Sequence, residues 1–247
     1  MPGPSPTEAE YQFYYWPEIP GRGEFVRLAF VAAGVPFREV IRQWSELASP
    51  MLSLGDQTLP RPPLAPPFLK LGDEIIGQTA NILAFLGQRH GLSPDDAPSQ
   101  RWVNQLQLSI MDWANEVHDT HHPVAPELYY EDQTTEALRR TAHYLKVRQP
   151  KYLAYFEQVI RLSGGPYLLG KQLSYADLSL MFTIEGLKFA FPRAMTATTG
   201  QIPHLLELSR SVLSLDNIQR YWHSAQRRPL KECMFRFYPE LDALHPG

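Results

Sequence analysis

The sequence predicts an α/β unit followed by an all-α region, and three observations carry that reading. Up to residue 92, strand and helix patterns alternate in the order β-α-β, loop, β-β-α. Beyond residue 99, apolar residues recur every three or four positions, which is helical spacing. Between the two, residues 93–99 carry two prolines and two aspartates, the composition of a linker. A chain of 247 residues can bury two cores. Domains are therefore expected at 9–92 and 99–247.

Each element has its own signal. Residues 11–15 are rich in aromatics and run into Pro17, Pro20 and Gly21, as a strand entering a turn does. Phe25, Val26, Ala29, Phe30 and Ala33 then fall at helical spacing until Gly34 stops the run. Residues 35–41 read as a second strand. Residues 45–67 are too crowded with proline for a regular element and read as an irregular surface connection. Residues 68–71 and 74–76 flank Gly72-Asp73, a hairpin signal, and 78–89 read as a helix closed by Gly91. In the second region Trp102, Leu106, Ile110, Trp113 and Val117 give a long helix one apolar face. Further helices are expected at about 134–162, 174–190, 204–213 and 217–226.

Composition narrows the function. A formal net charge of −3 without a long Lys/Arg run offers no electrostatic footprint for nucleic acid or an anionic membrane surface, so a small ligand is the expected partner. The lone cysteine, Cys233, excludes an intrachain disulfide and a Cys-rich metal site. The first residues, Met1-Pro2-Gly3-Pro4, read as a short lead rather than a signal peptide, and no run of about 18 apolar residues is present to span a membrane. A cytoplasmic protein without a bound metal is expected.

Four local motifs bear on chemistry. The first runs from Tyr11 to Pro17, through Gly21-Arg22-Gly23-Glu24, to Val26-Arg27-Leu28; the second is Pro66-Pro67-Phe68-Leu69 ahead of Gln78-Thr79 at a helix start. The third is Trp44 after the second strand, and the fourth is Ser174-Tyr175-Ala176-Asp177, a capping-box pattern. Read one at a time, Tyr15 is a strand aromatic, Thr79 a helix cap, and Trp44 a core or surface tryptophan. A helix N-terminus nevertheless offers free N–H groups and a positive dipole end to a carboxylate. His118, His121 and His122 share a helix face at metal-ligand spacing, but helix-end hydrogen bonding or lining of a cleft is favoured, since no metalloprotease motif accompanies them. The tail from Phe235 to Leu244 suits either folding over a cleft or packing on the second domain.

Taken together, the motifs resemble the cytosolic glutathione transferases, in the tyrosine-type (sigma- or pi-like) form, and span nearly the whole chain. The resemblance implies a thioredoxin-like N-terminal domain with a central cis-proline at Pro67, followed by an all-helical domain. It implies that Tyr15 is catalytic, donating its O–H to the sulfur of glutathione, with Tyr14 on the opposite strand face. It assigns glutathione binding to Tyr15, Trp44, Gln78, Thr79 and the residue before the cis-proline, with Arg22 structural or assisting the thiolate. That preceding residue is Pro66, which has no N–H, so only its carbonyl can pair with the cysteinyl unit. The family's basic ligand for the glycyl end has no counterpart in residues 45–56. The implied activity is conjugation of the glutathione thiolate to a hydrophobic electrophile by a homodimer. An isomerase or peroxidase using the same thiolate, and a non-catalytic binding protein, are the alternatives.

Overall fold

The computed structural model describes residues 11–48 and 59–242. The N-terminal lead, residues 49–58 of the connection, where part of the search for a basic ligand falls, and the end of the tail from residue 243 lie outside the described residues. Strand β1 (Tyr11–Tyr14) is central. It pairs parallel with β2 (Phe37–Glu39) through Tyr11 opposite Phe37, and antiparallel with β3 (Phe68–Leu71) through Phe13 opposite Leu69. Strand β4 (Glu74–Gly77) completes the order β2-β1-β3-β4. Helix α1 (Gly23–Ala33) makes the β1–β2 crossover, and α2 (Thr79–Arg89) follows β4. Gly72 turns the β3–β4 hairpin at φ +59°, a conformation for which glycine carries no steric penalty. The sequence pattern overextended the second strand: only Phe37–Glu39 lies in register with β1, and the Val40 N–H adds one last bond to the Phe13 carbonyl at 2.9 Å.

The remaining helices are α3 (Ala97–His118), α4 (Thr134–His143), α5 (Gln149–Ser163), α6 (Tyr175–Ala190), α7 (Pro192–Thr198), α8 (Pro203–Leu213) and α9 (Asp216–Trp222). Helix α3 opens where Asp96 accepts the Ser99 N–H at 2.9 Å, and it buries Val103, Leu106, Ile110, Trp113 and Val117. Trp102, expected on that face, sits at the edge of the core. The single helix expected at 134–162 contains a π-helical turn at Tyr144–Arg148 between α4 and α5. Pro150 explains it: a proline has no N–H for the helical ladder and its ring collides with the carbonyl four residues back. The last helix stops at Trp222 rather than 226, where the Ser224 hydroxyl donates to the Tyr221 carbonyl at 2.8 Å and ends the ladder. Helix α7, which the sequence pattern did not reveal, is a two-turn element between Pro192 and α8.

Helix α6 is the hub. Its N-terminus carries the expected capping box: Asp177 Oδ2 accepts from the Ser174 N–H (2.8 Å) and hydroxyl (2.6 Å), and Oδ1 accepts the Leu168 N–H (2.7 Å). Almost every side chain of α6 is buried, because α3, α8, α1 and α2 all pack on it. Phe25 of α1 meets Phe182 of α6 edge-on at 5.0 Å, and Gly87 lets α2 close on the Tyr175 ring. One continuous apolar core therefore joins the sheet-bearing part of the chain to the helical part.

Candidate active site

Tyr15 follows β1 directly, and the turn after it is shaped around its ring. A Cβ on Gly21 would lie 2.2 Å from the phenolic oxygen, and one on Gly23 would lie 2.4 Å from the ring. Gly21 also has φ +44°. These two glycines are thus required by close approach, and they let the Arg22 backbone N–H donate to the Tyr15 oxygen at 2.7 Å. Phe13 stacks parallel to the ring, with centroids 6.3 Å apart, and the Arg27 guanidinium lies 5.6 Å from the ring centroid. Burial raises the pKa of Tyr15 above its ordinary value, against the lowering effect of the Arg22 N–H and the Arg27 charge. Tyr15 therefore keeps its proton. With its oxygen already accepting one bond, the O–H is polarised for donation.

Tyr14 faces the other side of the sheet, stacked on Phe68 at 4.5 Å. Arg27, not singled out from sequence, is buried beside Glu24 (3.2 Å) and Glu39 (2.7 Å), and Tyr221 donates to Glu24 at 2.8 Å. This network ties the Tyr15 support to α9.

Two cavities adjoin at Arg22. One, of about 420 Å³, is lined by Tyr15 and Arg22, by His118 and His122 at the end of α3, and by Tyr129 and Arg236. The other, of about 730 Å³, runs along α2 and α3 and includes Arg22, Gln78, Thr79 and Asn115. Both fall in the size range of small-molecule sites. The Arg22 guanidinium donates to Asn115 Oδ1, which fixes it between the two. The tail does what either sequence expectation described: Phe235 packs against Gly186 and Phe182 of α6, while Cys233, Met234 and Arg236 form a wall of the Tyr15 cavity.

The remaining sequence-predicted residues divide. The Pro66–Pro67 bond is cis. Gln78 is the N-cap residue of α2 at φ +68°, with no side-chain capping bond, and Thr79 is buried at the first helical position. A non-glycine residue held at positive φ costs about 1–3 kcal/mol, and such outliers cluster at ligand sites. Trp44 is half exposed, its indole N–H donates to Glu18 Oε2 at 3.1 Å, and it does not appear among the described residues lining either cavity. His121 lies beneath its neighbours, 1% exposed, with ring centroids 5.5 Å from His118 and 4.8 Å from His122. No set of three His, Cys, Asp or Glu among the described residues is disposed to hold a metal ion. Burial pushes the Cys233 thiol up to about 12, so it stays protonated and poorly nucleophilic although it borders the cavity.

A family model described as "Glutathione S-transferase, C-terminal domain" matches residues 118–225, from the last residue of α3 past the end of α9. The bovine protein named glutathione S-transferase A4 is 27% identical over 214 residues, covering 87% of this chain and 89% of its own. These matches make the chain similar to the cytosolic glutathione transferases over most of its length. A Caenorhabditis elegans relative named glutathione S-transferase P 10 is 28% identical over 181 residues, covering 70% of this chain and 74% of its own. Among solved structures, the pi-class glutathione S-transferase of Onchocerca volvulus superposes with a TM-score of 0.68 at 20% identity, covering 86% of this chain and 92% of that one. That likeness is one of fold. No helix among the described residues is long and apolar enough to cross a membrane.

Proposed function

We propose that this chain conjugates the glutathione thiolate to an electrophilic carbon, with Tyr15 as the catalytic residue. The observation that carries the reading is the Tyr15 phenol, protonated, accepting the Arg22 N–H at 2.7 Å and facing a cavity that meets a second one at Arg22. Glutathione lies across that junction. Its γ-glutamyl carboxylate takes the free N–H groups of α2 at Gln78 and Thr79, and its cysteinyl N–H donates to the Pro66 carbonyl. Tyr15 donates to the sulfur, which favours the thiolate and moves the thiol pKa toward neutrality. The thiolate attacks the electrophile, and the C–S bond forms as the leaving group departs or the double bond accepts the electron pair. Arg22 holds the turn in register through Asn115. Trp44 serves the glycyl carboxylate only by exchanging its bond to Glu18. The division at 9–92 and 99–247, a homodimer, a cytoplasmic location and a mechanism without metal complete the proposal.

Calorimetry with glutathione, together with ultraviolet detection of bound thiolate, tests it on wild type and Tyr15→Phe. The wild type is expected to bind glutathione with a lowered thiol pKa, and the variant to bind within a few-fold while losing the thiolate signal. Absence of binding and thiolate in the wild type sinks the transferase reading and favours a binding protein that keeps the fold.

A further inference from the structure

The cavity over Tyr15 does not have the purely apolar lining that a hydrophobic electrophile calls for. Trp16, Ile19 and Met234 provide apolar surface, but two guanidinium groups, Arg22 and Arg236, also line it. The only carboxylate among the described lining residues is Glu127, which is exposed at the rim. Arg22 is already held by Asn115. Arg236 is not held. Among the described residues it has no ion pair and no hydrogen bond, and its Nε is buried without a partner. A buried, unpaired N–H is costly, and a charged one more so.

The neighbouring groups do not answer that charge. His122 donates its Nδ1 proton to the Leu128 carbonyl at 2.7 Å, and His118 sits 3.5 Å from Asp119. Burial lowers the pKa of both imidazoles, and an imidazole is neutral or cationic, so neither ring supplies the negative charge that would balance Arg236. The Tyr15 proton is retained, so no phenolate does so either.

We infer that the second substrate carries a carboxylate, and that Arg236 of the C-terminal tail is the residue that binds it. The planar guanidinium fork matches a carboxylate in two parallel hydrogen bonds from its two terminal nitrogens, which are not among the buried atoms as Nε is. The apolar walls take an aryl or alkyl body, which places the reacting carbon toward Tyr15 and the acid toward the tail. Arg236 is thus a specificity determinant for an amphipathic acid. The inference rests on the transferase reading for the reaction, but binding of the acid does not depend on it.

The test uses the full chain and two probes of nearly equal shape, 4-nitrobenzoate and 4-nitrobenzamide, with binding measured by calorimetry. The wild type is expected to bind the benzoate at least tenfold more tightly. Arg236→Gln should abolish that preference, and Arg236→Lys, which keeps the charge but not the fork, should retain part of it. Equal affinity for the two probes in the wild type, or an undiminished preference in Arg236→Gln, overturns the inference. So does a tenfold loss of glutathione affinity in Arg236→Gln, because the carboxylate held there would then be glutathione's own. A separate glutathione titration keeps the readings apart: benzoate preference without any glutathione binding sinks the transferase proposal and leaves the acid site standing.

Discussion

Replacing Gly23 by alanine separates the role proposed for the Tyr15 turn from ordinary helix energetics. Gly23 is the first residue of α1, and its φ lies outside the left-handed region, so alanine meets no backbone obstacle there. At an open helical position the change would stabilise by up to about 1 kcal/mol. Here the new Cβ would sit 2.4 Å from Tyr15 Cδ1 and 2.6 Å from Cγ. Carbon atoms in contact prefer about 3.5–4.0 Å, so the ring must move by about 1 Å. It has little room, being 7% exposed with Phe13 stacked on it and Arg27 close by. Overpacking of this kind costs about 1–3 kcal/mol, opposite in sign to the propensity effect. A phenol displaced by about 1 Å also lengthens its bond to the Arg22 N–H and loses aim at the sulfur, a misplacement worth roughly 100-fold in rate. Urea denaturation gives the stability change; thiolate absorbance of bound glutathione and initial rates with a chloronitrobenzene give the catalytic one. A variant as stable as wild type, with undiminished thiolate, would refute the argument that these glycines exist to seat Tyr15.

Three further outcomes are expected. Gln78→Gly relieves the positive φ and should leave stability unchanged or raise it by up to about 1 kcal/mol, while weakening glutathione binding; a fall in the urea midpoint would contradict the strain argument. Asp177→Ala strands three donors, the Leu168 and Ser174 N–H groups and the Ser174 hydroxyl, and should destabilise by about 3–5 kcal/mol; a change under about 1 kcal/mol in urea denaturation would show the capping box to be dispensable. His121 is held far down, from 6.5 to about 2, first by burial and then by the charges of His122, His118 and Arg236. Its pKa is depressed in the fold, so the unfolded chain takes up the proton first. Stability is therefore lost as pH falls below about 6.5, by about 2 kcal/mol at pH 5. His121→Phe should lose that much less between pH 7 and 5, and an identical loss in both proteins would count against it.

Some features were legible in the sequence because they are local. Gly34, the Gly72 turn, the period of Leu106, Ile110, Trp113 and Val117, and the Ser174–Asp177 spacing each act within a few residues, where propensity, periodicity and capping operate directly. Tyr15 and Pro66 were reached instead through the family resemblance carried by the glycines around Arg22 and the paired prolines before Phe68. Helix α7 escaped because two turns between prolines leave too short a window for periodicity. The π turn escaped because an apolar pattern passes through Pro150 without registering its missing N–H.

By itself, then, the sequence determined the order of elements and the two kinds of region, and its family resemblance supplied the residues proposed for a thiolate site. Which groups face that site was decided by the tertiary structure. Arg22 meets Asn115 ninety-three residues away, Glu18 claims the Trp44 indole across the turn, and the tail returns Arg236 to the wall beside Tyr15. No local pattern encodes such pairings. They follow from the way α6 gathers α1, α3 and the Phe235 anchor into one core, and close packing then leaves each charged side chain only the partners that the neighbouring elements present.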